Sequence, residues 1–162
     1  MAINIQSYLS MTSQQRERVD SLVDKEFGHI PFVQNLTWSK PDWLVTLEKD
    51  NDLLALYHLV SREVQLDGQT YQAAGINNVI TPQQHRKRGY ASKLLQETNS
   101  FIFTELKSEF GLLLCADAVI PFYEKLGWYK VDCDLYFEQP DGIRLYDSNA
   151  MILSKEVRFS PK

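Results

Sequence analysis

The chain has 162 residues, of which 44% are apolar and 23% charged, and its net charge at neutral pH is −4. That composition fits one ordinary globular domain spanning residues 1–162 and argues against nucleic acid as a partner. No apolar run approaches the ~20 residues of a membrane span and no basic-plus-apolar leader opens the chain, so a soluble, cytoplasmic protein with no membrane partner is expected.

Residues Ile3 to Tyr8 alternate loosely and predict a first strand. Thr12 is placed to cap a helix whose apolar positions Val19, Leu22, Val23 and Phe27 have helical spacing, and Gly28 is placed to end it. From His29 to Pro41 the chain is aromatic and punctuated by proline, and its pattern assigns no element. Trp43 to Glu48 predicts a strand, Asp50-Asn51 a turn, and Leu53 to Gln65 a long second strand. Asp67-Gly68 is a hairpin signal, after which Gln69 to Thr81 returns as the next strand.

The stretch that follows is the most informative in the chain. A β-branched run through Val79, Ile80 and Thr81 turns at Pro82, passes His85, Arg86, Lys87 and Arg88, and enters a helix at Gly89. A helix N-terminus leaves backbone N–H groups without partners and carries partial positive charge. With three cations before it, and Gly89 opening the backbone to a ligand, this junction is suited to cradling a pyrophosphate. It is neither a Gly-x-x-x-x-Gly-Lys-Ser/Thr loop nor a three-glycine dinucleotide fingerprint. The helix is predicted to run to about Lys107 with Ala91, Leu94, Leu95, Thr98, Ile102 and Leu106 on one face.

Leu112 to Ala116 is short, apolar and unbroken, which predicts a buried strand paired in parallel with its neighbour. Pro121 suits the first turn of a short helix and Gly127 its exit. Leu135 to Phe137 and Ala150 to Leu153 read as two closing strands, joined by a loop containing Asp141-Gly142 and Asp147. The two cysteines, Cys115 and Cys133, form no disulfide framework or metal-ligand cluster, and no metal is expected.

Two motifs in sequence carry a family resemblance. Arg86-x-x-Gly89-x-Ala91 resembles the Arg/Gln-x-x-Gly-x-Gly/Ala acetyl-CoA signature of the GNAT-type N-acetyltransferase superfamily, which lies between the fourth strand and the next helix. Some 30 residues on, Ile120 to Trp128 resembles that family's F-Y-E-x-x-G-F/W segment. Further features are similar to the aminoglycoside 2′-N-acetyltransferase branch: Asp42-Trp43, the strand ending near Arg62, Gly68, Gly75, Gly127-Trp128 after Tyr123, and a tail with Gly142, Arg144 and Asp147. The resemblance covers roughly residues 42–153. Where that branch has a glutamate in the fourth strand this chain has Asn77, which cannot take a proton.

The resemblance implies an α/β (α+β) GNAT acyl-CoA N-acyltransferase fold: a mixed, mostly antiparallel sheet with its fourth and fifth strands splayed and helices flanking it. It implies an N-acetyltransferase moving acetyl from acetyl-CoA directly to a primary amine of a small molecule, aminoglycoside-like or polyamine-like. Cofactor contacts would come from the backbone of Val79, Ile80 and Thr81 and from Arg86, Lys87, Arg88, Gly89, Tyr90, Ala91 and Ser92. Tyr123 matches the general acid, and its alternative is a packed core aromatic. Asp117 stands where relatives contact the acceptor, and it is equally placed to cap the following helix. Asn77, Asp42 and Asp147 are the remaining candidates for the acceptor side. His85 reads as packing or orienting the cradle, and Cys115 as an inert buried thiol. His58 and His29 have no local metal partner. Two rivals stay open, a non-catalytic acyl-CoA-binding module and a protein or peptide N-acetyltransferase, and so does homodimer formation.

Overall fold

The computed structural model describes residues 1–156 and 158–162. Its strands are β1 (Ala2–Ser7), β2 (Trp43–Lys49), β3 (Asp52–Leu66), β4 (Gln69–Ile80), β5 (Phe110–Cys115), β6 (Tyr129–Val131), β7 (Leu135–Gln139), β8 (Gly142–Tyr146) and β9 (Asn149–Ser154). Its α-helices are α1 (Ser13–Phe27), α2 (Pro31–Gln34), α3 (Tyr90–Thr104) and α4 (Ile120–Glu124). Seven strands hydrogen-bond in the order β1-β2-β3-β4-β5-β9-β6, and β7 pairs with β8 apart from them. The pairs β1–β2, β2–β3, β5–β9 and β6–β9 are antiparallel, and β4–β5 is parallel. The parallel register joins only Ala73–Gly75 to Phe110–Leu112, while β4 continues to Ile80.

The chain divides into two compact units. The first comprises Met1–Val60 and Asn77–Leu94. Its helix α1 begins with a capping box: the Thr12 hydroxyl accepts from the Gln15 backbone N–H at 3.2 Å, and the Gln15 side chain accepts from the Thr12 N–H at 2.9 Å. Val19, Leu22, Val23 and Phe27 then pack onto Met11, Leu44, Leu56 and Ile80, as their spacing predicts. Asp50 and Asn51 take positive φ, the left-handed pair that a two-residue hairpin between β2 and β3 needs.

The second unit comprises Ser61–Ile76 and Leu95–Lys162. Its core gathers Ala73, Phe110, Val131, Ala150 and Ile152, with Leu112 and Tyr129 packed against them. The Asp67-Gly68 hairpin is present, both residues at positive φ.

Two expectations need correction. Helix α3 ends at Thr104 rather than near Lys107, because Lys107 enters the left-handed region and Ser108 N–H returns to Ile102 O at 3.0 Å. Its buried face is as expected for Leu94, Leu95, Thr98 and Ile102. The strand expected at Leu135–Phe137 is present as β7, but the predicted loop after it holds a further strand, β8, which pairs with β7 so that Tyr136 faces Leu145 and Glu138 faces Ile143. In the unassigned stretch, Pro31 opens the one-turn helix α2.

Candidate functional site

The first unit holds the cradle. After β4 the chain passes Thr81-Pro82, makes a 3₁₀ turn at Gln83–His85, and reaches α3 through Lys87 at φ +64° and Gly89 at φ +76°. Left-handed residues just ahead of a helix turn successive backbone N–H groups into one concavity, an anion-binding geometry that the macrodipole of a 15-residue helix reinforces. Lys87, Arg88 and Gly89 are exposed there, while Tyr90, Ala91 and Ser92 at the helix start are half-buried. Glycine takes the positive φ at position 89 without strain, where a residue with a Cβ would be strained. These features fit a pyrophosphate.

Arg86 has a different situation from its two cationic neighbours. Its Nη2 lies 2.7 Å from both carboxylate oxygens of Glu26 on α1, and its Nε donates to Thr81 O at 3.0 Å. The guanidinium thus ties both ends of the loop to the helix beneath it. His85 is buried, with Nε2 2.8 Å from a carboxylate oxygen of Asp52 and its ring edge-on to Tyr90 at 6.2 Å. That matches the expectation that it packs or orients the cradle.

Further back on β4, Asn77 is half-buried, as is Val79, and Ile80 is fully buried. The next residue, Asn78, adopts φ +55° inside the strand, and its side-chain amide meets His58 Nδ1 at 3.1 Å. His58 is 2% exposed, and its Nε2 has no hydrogen-bond partner among the described residues. Burial holds its pKa down at about 4, with the Asp20 charge opposing, so the ring is neutral at physiological pH. Neither Asn78 nor Glu26 is in any motif, and the sequence reading missed both. Asp42 is exposed, and its backbone is tied to both neighbouring strands through Tyr8 N–H and Leu59 O.

The second unit holds the remaining candidates. Pro121 occupies the first turn of α4, and Tyr123 is buried against Phe122 and Trp128, with ring centroids at 5.0 and 6.3 Å. Burial, then the Cys115 thiol, pushes the Tyr123 pKa up to about 12, so the phenol keeps its proton at neutral pH. The Cys115 thiol is itself pushed up, first by burial and then by the Asp117 carboxylate, the opposite of an activated nucleophile. Asp117 opens a 3₁₀ turn, and no side-chain cap is formed there or at α4, which sets aside the capping role. Its carboxylate instead accepts from Asn149 Nδ2 at 2.7 Å. The same amide also reaches Cys115 O at 3.2 Å, where Ser148 Oγ donates at 2.9 Å. Asp147 is exposed just past β8.

The cradle, Asn77 and Asp42 therefore belong to the first unit, and Asp117, Tyr123 and Asp147 to the second. A surface pocket of about 410 Å³ in the second unit, walled by Phe103, Lys107, Ser108 and Phe159, includes none of them. Among the described residues no cluster of three or more His, Cys, Asp or Glu is placed to hold a metal ion. Among those residues, too, no helix is long and apolar enough to cross a membrane.

Comparison with known proteins adds the family. The model of the acetyltransferase (GNAT) domain matches residues 7–131. No curated protein sequence matches the chain. Among solved structures, Escherichia coli ElaA superposes with a TM-score of 0.67 at 14% identity, covering 94% of this chain and 99% of that one. An acyl-CoA N-acyltransferase from Pseudomonas aeruginosa gives 0.63 at 15% identity, with 95% and 100% covered. Tetrahymena GCN5 gives 0.61 at 13% identity, with 95% and 96% covered. These likenesses establish the fold, and the family model, whose match from residue 7 to residue 131 takes in both motifs, shows that the chain belongs to the GNAT acetyltransferase domain family.

Proposed function

We propose that this protein transfers the acetyl group of acetyl-CoA directly to a primary amine of a small molecule. The observation that carries the reading is the junction from β4 to α3, where left-handed Lys87 and Gly89 precede a 15-residue helix and leave exposed cations beside its N-terminus. Those groups suit the pyrophosphate of an acyl-CoA. The sequence resemblance of Asp42-Trp43, Gly75 and the Gly142–Asp147 tail to the aminoglycoside 2′-N-acetyltransferase branch supports an amine acceptor.

The reaction makes definite demands. An alkyl ammonium of pKa ~10.4 is a free base in roughly one molecule per thousand at neutral pH, so a proton acceptor raises the reactive fraction. The amine nitrogen then attacks the thioester carbon, the carbonyl oxygen gains charge, and the C–S bond breaks as the thiolate takes up a proton. Backbone N–H groups of Val79 to Thr81 are suited to the developing oxyanion. Tyr123 suits the protonation of sulfur, since its phenol stays protonated up to a pKa of about 12. Asn77 is no base; Asp117, oriented by Asn149, or a water relayed to the backbone takes that role.

The acceptor we infer is a cationic amine smaller or less charged than an aminoglycoside. An aminoglycoside carries several ammonium groups that need several carboxylates, and the acids available are Asp42, Asp117 and Asp147, without the glutamate at position 77. Calorimetry with acetyl-CoA, followed by thiol release over a panel of aminoglycosides, polyamines, simple amines and peptides, tests the whole reading. Binding plus turnover on small amines supports it. Efficient turnover of an aminoglycoside, above the ~10⁴ M⁻¹s⁻¹ low end of ordinary enzymes, overturns the acceptor assignment. Asn77 favours one second reading, a non-catalytic acyl-CoA-binding module, for which binding without thiol release on any amine is the signature.

A further inference from the structure

Asn78 is a non-glycine residue at φ +55° within β4, two residues before that strand ends. A left-handed residue inside a strand interrupts its pleat and re-aims the residues that follow, as a bulge does. The conformation crowds a residue that carries a Cβ, and asparagine reaches it most readily when its short polar side chain is anchored by a hydrogen bond. The anchor is His58 on β3, sealed at 2% exposure, whose Nδ1 lies 3.1 Å from Asn78 Nδ2.

We propose that His58 and Asn78 form a lock that fixes the backbone direction of Val79–Thr81 toward the acyl group, making His58 a positioning residue of the reaction. This rests on the functional reading above. An amide N–H donating to Nδ1 requires that nitrogen to be unprotonated, which selects the Nε2–H tautomer of a neutral ring. The Tyr8 ring stands edge-on at 6.3 Å, and it is the Tyr8 hydroxyl, not His58, that meets the Asp20 carboxylate, at 3.3 Å. Among the described residues no carboxylate therefore bonds the imidazole directly, and burial, which lowers its pKa, keeps the neutral ring that the lock needs.

Isosteres separate the two ring nitrogens. His58→Asn places an amide oxygen close to where Nδ1 stood and preserves the lock; His58→Gln places it near Nε2 and does not. Asn78→Gly keeps positive φ at no steric cost and removes the anchor. Backbone amide spectra recorded with acetyl-CoA and with CoA give the first readout. In the wild type and in His58→Asn the difference between the two ligands is expected at Val79, Ile80 and Thr81, and in His58→Gln and Asn78→Gly it is expected to be lost from them. On an amine found to turn over, the same two variants should lose about tenfold to a hundredfold in kcat with KM for acetyl-CoA within about twofold. A His58→Gln protein that folds, binds and turns over like the wild type overturns the lock alone. A wild type that binds no acetyl-CoA overturns the functional reading and the lock with it.

Discussion

At the scale of single residues, Arg86 separates two ways of holding an anion. The motif marks it as a phosphate contact, yet its guanidinium grips Glu26 with both oxygens at 2.7 Å and Thr81 O at 3.0 Å. A surface pair of this kind adds little stability, but it sets the loop's shape. Arg86→Ala should weaken acetyl-CoA binding by roughly tenfold, from ~1.5 kcal/mol for a charge-assisted hydrogen bond, on either account. Glu26→Gln tells them apart by calorimetry. If Arg86 braces the loop, losing Glu26 weakens binding; if Arg86 is held back from the phosphates, losing Glu26 tightens it. We expect weakening of about twofold to fivefold. Tyr123 gives a second case: Tyr123→Phe should lower kcat about 10²-fold with acetyl-CoA binding nearly intact, and full turnover would return it to packing alone. Arg86, Gly89 and Tyr123 were legible because local motifs carry them. Glu26 and Asn149 were not, since they act across 60 and 32 positions of sequence, a distance no periodicity spans.

At the scale of elements, turn chemistry was the readable part. Asp50-Asn51 and Asp67-Gly68 both form left-handed hairpin turns, and the Thr12 cap forms with its Gln15 partner. Strand β8 was missed because its apolar residues give no inward face to detect: Ile143 is 71% exposed and Leu145 51%. Its pairing comes from local turn and register, which composition conceals. Glycine at position 111 is a different kind of element signal, set by the neighbour it admits. A Cβ there would lie 2.8 Å from Trp128 Cη2 and 3.4 Å from Ile102 Cδ1. The indole is 2% exposed, so it would have to shift within a close-packed core. Gly111→Ala should therefore destabilise the protein by about 1–3 kcal/mol through overpacking, lowering the melting temperature by about 3–10 °C. An unchanged melting temperature would mean that the Trp128 packing yields more easily than a close-packed core allows.

At the scale of the whole molecule, two motifs in order were enough to read the family and its fold, because they bracket the strand–helix unit that defines it. The division into two compact units was not readable: β3 and β4 are continuous strands of 15 and 12 residues, and nothing in their sequences marks Val60 or Asn77 as a boundary. One buried group gives the molecule a measurable response to acid. The folded-state pKa of His58 is lowered from 6.5 to about 4, first by burial. Above the unfolded value neither state binds the proton, and the histidine's contribution is fully present. As pH falls from 6.5 toward 4 the unfolded chain takes up a proton that the folded ring refuses, so stability is lost across that window. At 1.36 kcal/mol per unit, roughly 2–3 kcal/mol should be gone by about pH 4.5. Carboxylates begin to titrate in the same range, so the comparison is with His58→Asn, which lacks the ionisable ring and shares every other group. Denaturant unfolding of both proteins from about pH 7.5 to 4.5 should show the wild type more stable at neutral pH and the gap closing by roughly 2–3 kcal/mol as pH falls. Two curves that stay parallel through the window would show that His58 titrates alike in the folded and unfolded chain, contrary to its burial.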